Sequence, residues 1–499
     1  MKCDTRRFVL TATVLLALAP IAHTQTRSPV IWDERALADW ATPVAGLNVR
    51  PAHHTAAEYY AVPPDNLRTY PVYLPGNEPP GYWEDLQKKK PEPLLDMSRM
   101  RTPQDWIAGG ERAFHELDNP LTRTGDPALI ARARDPKTFA NVVGLPDGTI
   151  FQPRWVVTGR GVMLSNLQCA GCHSRVNADR TIDYAFPQPP NAAGAGAIGA
   201  DAAFRLAGIS QRQQFGAENT GTMLRRLFDT PWNSDANLQR FFALDNLPPG
   251  VFANQGVIVR PNGSPLHGTR VPDLHVLRYS RYMDATGTHR LRGPEDVARY
   301  AALITGADPM QFGEHRMLTD EQRRVKFRYA DEVLYAIGSY LMSLEPPKNR
   351  NPPPGDLVER GSEVFRRERC GACHPAPNYT TGELTPALDF KVPLNHPNLR
   401  DIRDRSVGTD PGLALRTRKG TGFYKVPSLR GLWYRPRLLH DASIVSLEEL
   451  FDAARLDPEY ERKGWAPPGV TKAAIPGLEF LPKLSTEDKR ALIAFLRSL

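Results

Sequence analysis

Residues 166–175 read NLQCAGCHSR, and residues 369–375 read RCGACHP. Each holds two cysteines separated by two small residues, with a histidine directly after. Such a run can bind zinc, shuttle a disulfide, or attach haem covalently. Zinc takes four N or S donors, and neither copy has a second Cys/His pair beside it. A redox disulfide requires neither the histidine nor a second copy 201 residues on. Covalent haem uses all three residues. Two thiols on one tight turn reach the two vinyl groups of the porphyrin edge, and the adjacent imidazole falls under the iron. Cys169, Cys172 and His173 are therefore expected to hold one haem c, and Cys370, Cys373 and His374 a second.

The cysteine count agrees. The chain has five cysteines, and the fifth, Cys3, lies in an N-terminal stretch that reads as an export signal. Lys2, Arg6 and Arg7 precede an apolar run from Phe8 to Ala19, too short to span a bilayer, and Ala22 and Thr24 mark a cleavage zone. The expectation is a signal peptide at 1–24, no membrane span, and a periplasmic or secreted product. No cysteine remains for a structural disulfide. The net charge of +8 is spread along 499 residues without a Lys/Arg block, so nucleic acid is not expected as a partner. Hydrophobic residues at 41% and charged ones at 24% fit a globular chain long enough for two or three domains.

The duplication extends beyond the cysteines. RVPDLHVLRYSRYMDAT (270–286) matches KVPSLRGLWYRPRLLHDAS (425–443). Gly110 and Phe114 precede the first motif, as Gly361 and Phe365 precede the second. Each repeat is expected to end in a helix. The first runs from about Thr319 to Leu344 with Thr319 and Gln322 as a capping box; the second runs from Ser485 to Leu499 with Ser485 and Asp488 at its start. EPPKNRNPPPGD (345–356) cannot continue a helix and reads as a linker. The expected architecture is all-α: two tandem cytochrome c-type domains at 101–344 and 357–499, with long irregular loops. An extended Pro-rich surface segment at 25–100 leads into them. Phe114 lies 55 residues before Cys169, whereas Phe365 lies five before Cys370, so the first half carries an insertion of about fifty residues.

These motifs, with VPSLRGLWYRPRLLHDASIVSLEEL (426–450), resemble the bacterial di-haem cytochrome c peroxidase and MauG superfamily. The wide spacing between motifs is more similar to its rubber oxygenase branch. The resemblance implies chemistry at the haem on His173 and an electron-transfer role for the haem on His374. It implies hydrogen peroxide or dioxygen as oxidant. The electron donor would be a small cytochrome c or cupredoxin, or else a hydrophobic alkene would be the substrate. A non-catalytic electron carrier is the third reading, and calcium between the halves is a further candidate cofactor.

The chain departs from the family pattern at several positions. Ala454 stands where many peroxidases place a ligating Met, and 477–480 read Gly-Leu-Glu-Phe where some relatives carry a His. His440 is then the first candidate for the sixth ligand of the second iron, with Tyr460 and His396 behind it. Met283 occupies the matching place in the first repeat, as a candidate ligand of the first iron or as core filler. The family's bridging Trp is absent there, which leaves Trp433 and Tyr434. The candidate distal acid/base groups are Asp308, Glu314 and His315, followed by His267, His275 and His289.

Overall fold

The computed structural model describes residues 30–139, 144–187, 220–242, 253–254, 257–258 and 262–499. The expected signal peptide lies outside the described residues. Among the described residues, no helix is long and apolar enough to cross a membrane.

Two helix pairs, related by the internal repeat, carry the two halves. In the first, α1 (Pro103–Glu116) packs on a later helix, with α2 (Pro294–Ala302) alongside; that later helix is α3 (Asp331–Ser343). In the second, α4 (Gly355–Arg367) packs on α5 (Thr486–Ser498). Local chemistry starts these helices. Thr102 and Asp105 form a reciprocal capping box with Pro103 at the first helical position, and the Ser485 side chain caps α5. The repeated glycines explain how closely the pairs pack. A Cβ on Gly110 would lie 1.8 Å from the Ala336 carbonyl oxygen and 2.8 Å from the Tyr340 Cβ. A Cβ on Gly361 would lie 2.1 Å from the Ala491 oxygen and 2.6 Å from the Phe495 Cβ. The phenylalanines one turn on close the same contacts, with Phe114 5.7 Å from Tyr340 and Phe365 5.1 Å from Phe495 between ring centroids.

The all-α expectation is overturned. The chain is mixed α/β, 34% helical and 15% strand, with several short sheets. The clearest sheet joins the insertion to the N-terminal lead. Strands β1 (Thr69–Tyr73), β2 (Thr149–Thr158) and β3 (Gly161–Ser165) form an antiparallel sheet in that order. The β2 sequence TIFQPRWVVT is rich in β-branched and aromatic residues, and it turns tightly into β3, where Gly161 takes φ +103°. Its buried Ile150, Trp155 and Val157 form a separate core with Val72, Leu86 and Leu164. Residues expected as irregular loop therefore form a sheet, on a run of β-branched and aromatic residues whose side chains are mostly buried.

The segment at 25–100 also differs from a surface wrap. Ile31, Trp32 and Trp40 are fully buried and belong to the same core as α1, α2 and α3. This segment explains a shortened helix. Thr319 and Gln322 exchange their capping hydrogen bonds at 3.2 Å, yet α3 begins only at Asp331. Between them, Arg328–Tyr329 is extended and pairs in parallel with Pro64–Asp65. A strand partner supplied by the lead outcompetes helix continuation.

Gly361→Ala tests the helix contact. Helix propensity favours alanine by about 1 kcal/mol, but overpacking against backbone costs about 1–3 kcal/mol. The melting temperature followed by circular dichroism is expected to fall. Gly355→Ala, at a helix position with open space around it, is expected to change it little or raise it.

Candidate haem-binding site

The first motif is a single helical turn, Cys169–Cys172, capped by His173. It is held to the end of α1 by Gln168 N donating to the Leu117 carbonyl at 2.9 Å. The second is a tight turn, Cys370–Ala372, entered through Arg369 in the left-handed region at φ +57° directly after α4. None of the four thiols is in a disulfide. Burial pushes the Cys169 thiol up to about 12 and, with help from Glu368, the Cys370 thiol up to about 11. Disulfide-shuttling pairs lower the pKa of the attacking thiol, so these environments are wrong for that chemistry. Among the described residues, no group of three or more His, Cys, Asp or Glu is arranged to hold a metal ion.

The donor set at each motif fits covalent haem. The His173 Nδ1 is buried with no hydrogen-bond partner, although the Pro272 carbonyl acts on the ring and raises its proton affinity. Burial outweighs that effect and lowers His173 to about 4. In His374, Nδ1 lies 3.0 Å from the Tyr379 carbonyl oxygen. This leaves Nε2 as the nitrogen for an iron. Burial lowers His374 as well, against the raising effect of the Tyr379 and Pro427 carbonyls. A neutral imidazole with one nitrogen steered by a carbonyl is the form that ligates iron. The two prolines belong to the two Val-Pro repeats, so the duplicated segment and the duplicated motif meet at the imidazole.

The repeats also meet each other. Arg270 N donates to the His440 carbonyl at 2.8 Å, and Lys425 N donates to the Ala285 carbonyl at 2.9 Å. Asp273 of the first half accepts from the Tyr434 hydroxyl at 2.8 Å and from Arg435 Nε at 3.0 Å, both of the second half. All three side chains are buried. Tyr434 further packs against Phe186, 5.0 Å between centroids, so it spans the junction as an aromatic group. Trp433 instead points to the linker, its indole donating to the Pro347 carbonyl at 3.1 Å.

The sixth-ligand candidates separate. The His440 ring stacks on Tyr424 at 4.4 Å, with Nε2 3.3 Å from the Tyr424 hydroxyl. No hydrogen bond or ring contact joins it to His374 among the described residues. Tyr460 donates to Glu449 at 2.6 Å. His396 keeps a buried Nε2 without a hydrogen-bond partner, while its Nδ1 accepts from Asn398 N at 3.2 Å; it borders a cavity of about 560 Å³. Met283 is buried in the first-half core with Leu274, Leu277 and Leu291.

The distal candidates do not converge. Asp308 forms an ion pair with the buried Lys419; burial pushes its carboxyl up, but Lys419 outweighs this and holds it low. Glu314 on a hairpin turn and His315 on the strand after it are exposed, and His315 lies 5.1 Å from the Trp232 ring. His267 Nε2 is 2.6 Å from Asp235. His275 Nδ1 is 3.4 Å from Asp273, beside Phe186 and Tyr434. His289 packs against Trp40 at 4.3 Å between centroids, the rings tilted by 48°, and meets Thr288 Oγ1 through Nδ1. Of these six, only His275 joins the Asp273 network next to Pro272. Asp273, Arg435, Lys425 and the two proline carbonyls escaped sequence reading, although the Val-Pro repeat was the signal that pointed to them.

No family model and no curated protein matches the chain. Solved structures that resemble it include hydrazine synthase from Kuenenia stuttgartiensis, with 13% identity over 57% of this chain and 88% of that one, TM-score 0.28. The diheme peroxidase BthA from Burkholderia thailandensis has 18% identity over 56% and 85%, TM-score 0.26. A MauG-like protein associated with microbial copper homeostasis has 16% identity over 57% and 88%, TM-score 0.25. Superpositions this loose transfer neither a fold nor a residue's role.

Asp273→Asn tests the junction. The carboxyl is held down at about 2: burial opposes this, and His275, Arg435 and Tyr434 more than offset it. A depressed carboxylate stabilises the fold above its unfolded pKa of about 3.9, and that stabilisation is lost as pH falls through 2. The shift corresponds to about 2 kcal/mol. The variant is expected to be less stable at pH 7 and to lose the part of acid unfolding between pH 4 and 2. Denaturant melts at pH 7, 4 and 2 measure both.

Proposed function

We propose that this chain is a di-haem c-type cytochrome oxidoreductase that reduces hydrogen peroxide at the haem on His173, with electrons relayed through the haem on His374. The observation that carries the reading is the repeated unit: a Cys-x-x-Cys-His turn whose imidazole meets the proline carbonyl of a repeated Val-Pro segment. Cys169, Cys172 and His173 would hold one c-type haem and Cys370, Cys373 and His374 the other, which would supply the redox chemistry of peroxide reduction and of electron transfer.

The chain's own residues supply binding and position. The four cysteines anchor the two groups, and the buried imidazoles stay neutral and available to iron. The Tyr379 carbonyl fixes the His374 ring. The Asp273–Tyr434–Arg435 network holds the two repeats in register and places one aromatic ring between them. A small cytochrome or cupredoxin is the proposed electron donor, and export to the periplasm is part of the same proposal.

One observation favours a second reading. Asp308 is sealed by Lys419, and Glu314 and His315 face solvent, so these three provide no acid/base for cleaving peroxide. That suits a rubber oxygenase-like cleavage of a hydrophobic alkene by dioxygen, which requires no external electrons.

Protein expressed with the cytochrome c maturation machinery is expected to carry two haems per chain by the pyridine haemochrome assay. A haem-free product would sink the proposal. Electron paramagnetic resonance of the ferric protein is expected to show one high-spin signal; two low-spin signals would make it an electron carrier. Peroxide with a reduced small cytochrome is expected to turn over, and turnover of polyisoprene with oxygen alone would establish the second reading. The Cys169→Ser/Cys172→Ser variant is expected to fall at least a hundredfold in turnover, about 2.7 kcal/mol of barrier.

A further inference from the structure

We propose that Arg270 and Lys425 form an anion clamp where the two halves meet, and that the carboxylates it receives are haem propionates. The proposal deepens the di-haem reading and rests on it. Both cations stand in the same register, two residues before the proline whose carbonyl meets the histidine of their own repeat. Both reach across the junction in reciprocal fashion. Arg270 Nη1 donates to the Arg437 carbonyl at 2.8 Å, and Lys425 Nζ to the Tyr282 carbonyl at 3.4 Å.

Arg435 completes a group of three cations that act on one another electrostatically. Of the three, only Arg435 has an ion-pair partner among the described residues, Asp273. The nearby carboxylates act on Arg270 and Lys425 without forming an ion-pair contact to either among the described residues: Asp441 and Asp273 on Arg270, Asp284 on Lys425. Asp284 accepts from Thr288 Oγ1 at 2.6 Å and from Asn262 and Tyr300, and Asp441 accepts from Ser443 N at 3.1 Å and Oγ at 2.7 Å. Carbonyl oxygens satisfy donors but do not balance charge. Arg270 and Lys425 are half-buried, and a partly desolvated cation without an ion-pair contact gains from a ligand that brings an anion to it. Burial and the two arginines lower Lys425 to about 8, with Asp284 opposing them.

A planar or forked carboxylate suits Arg270, and a point contact suits Lys425. Free phosphate or sulfate offers the same chemistry. The register with the haem-ligating histidines favours an anion that belongs to the group each histidine holds, because one cation recurs per motif.

Holoprotein variants Arg270→Gln and Lys425→Gln test the clamp by spectroelectrochemical titration, with Arg270→Lys and Lys425→Arg as charge-keeping controls. Loss of a positive charge disfavours reduction. At least one haem in each Gln variant is expected to show a tenfold weaker reduction equilibrium, a fall of about 59 mV. The controls are expected to stay near the wild type. Lys425→Met retains much of the stem and substitutes for Lys425→Gln if that variant does not accumulate.

Two haems with unchanged midpoints in the Gln or Met variants would overturn the clamp alone. A wild-type protein without haem would overturn the reading beneath it. The wild type is also titrated with phosphate at constant ionic strength. Midpoints independent of phosphate support the propionate assignment, and midpoints that move with phosphate assign the cations to a free anion and overturn it.

Discussion

One buried carboxylate organises the junction of this protein. Asp273 comes from the first repeat, and the hydroxyl and guanidinium that satisfy it, Tyr434 and Arg435, come from the second. A buried charge without its partners is costly, so the halves cannot separate or slide without exposing or orphaning it. The two Val-Pro segments are held by the same arrangement, since Arg270 and Lys425 each donate their backbone N–H to the opposite repeat. The prolines follow two residues later in each chain segment, and their carbonyls act on His173 and His374. The positions of both histidines therefore trace back to the contact made by Asp273.

The helix pairs are the second constraint. Each half closes through a glycine that allows a backbone carbonyl of the facing helix to approach where a methyl group would collide. Each motif follows its glycine-bearing helix, directly after α4 and through the β2–β3 sheet after α1. The insertion therefore lengthens the path without displacing the motif, because Gln168 returns to the end of α1 by a main-chain hydrogen bond. The N-terminal lead is incorporated in the same way. Trp32 and Trp40 fill the first-half core, and Pro64–Asp65 pairs with a strand beside α3.

The legible parts were those set by covalent or steric demands within a few residues. Two thiols and an imidazole in fixed spacing and a serine three residues before an aspartate each report a local requirement, whereas the repeated glycine and phenylalanine were visible only as a repeat. The all-α class was misread because the strands between Phe114 and Cys169 depend on Thr69–Tyr73, about eighty residues earlier in the chain. The surroundings of the distal candidates were hidden for a related reason. Asp308 has the chemistry of an acid/base, but Lys419, 111 residues away, makes it a structural ion.

The sequence by itself determined the duplicated Cys-x-x-Cys-His motif and the α5 cap, because each depends on neighbours along the chain. Only the tertiary structure decided which carboxylate is buried and, among the described residues, which cations make no ion-pair contact and which imidazole nitrogens have no hydrogen-bond partner. Those properties depend on desolvation and on groups brought together from distant segments. Asp273 and Asp308 show the difference: nothing along the chain marks either aspartate, and both become buried ions paired across the junction once the second half is folded against the first.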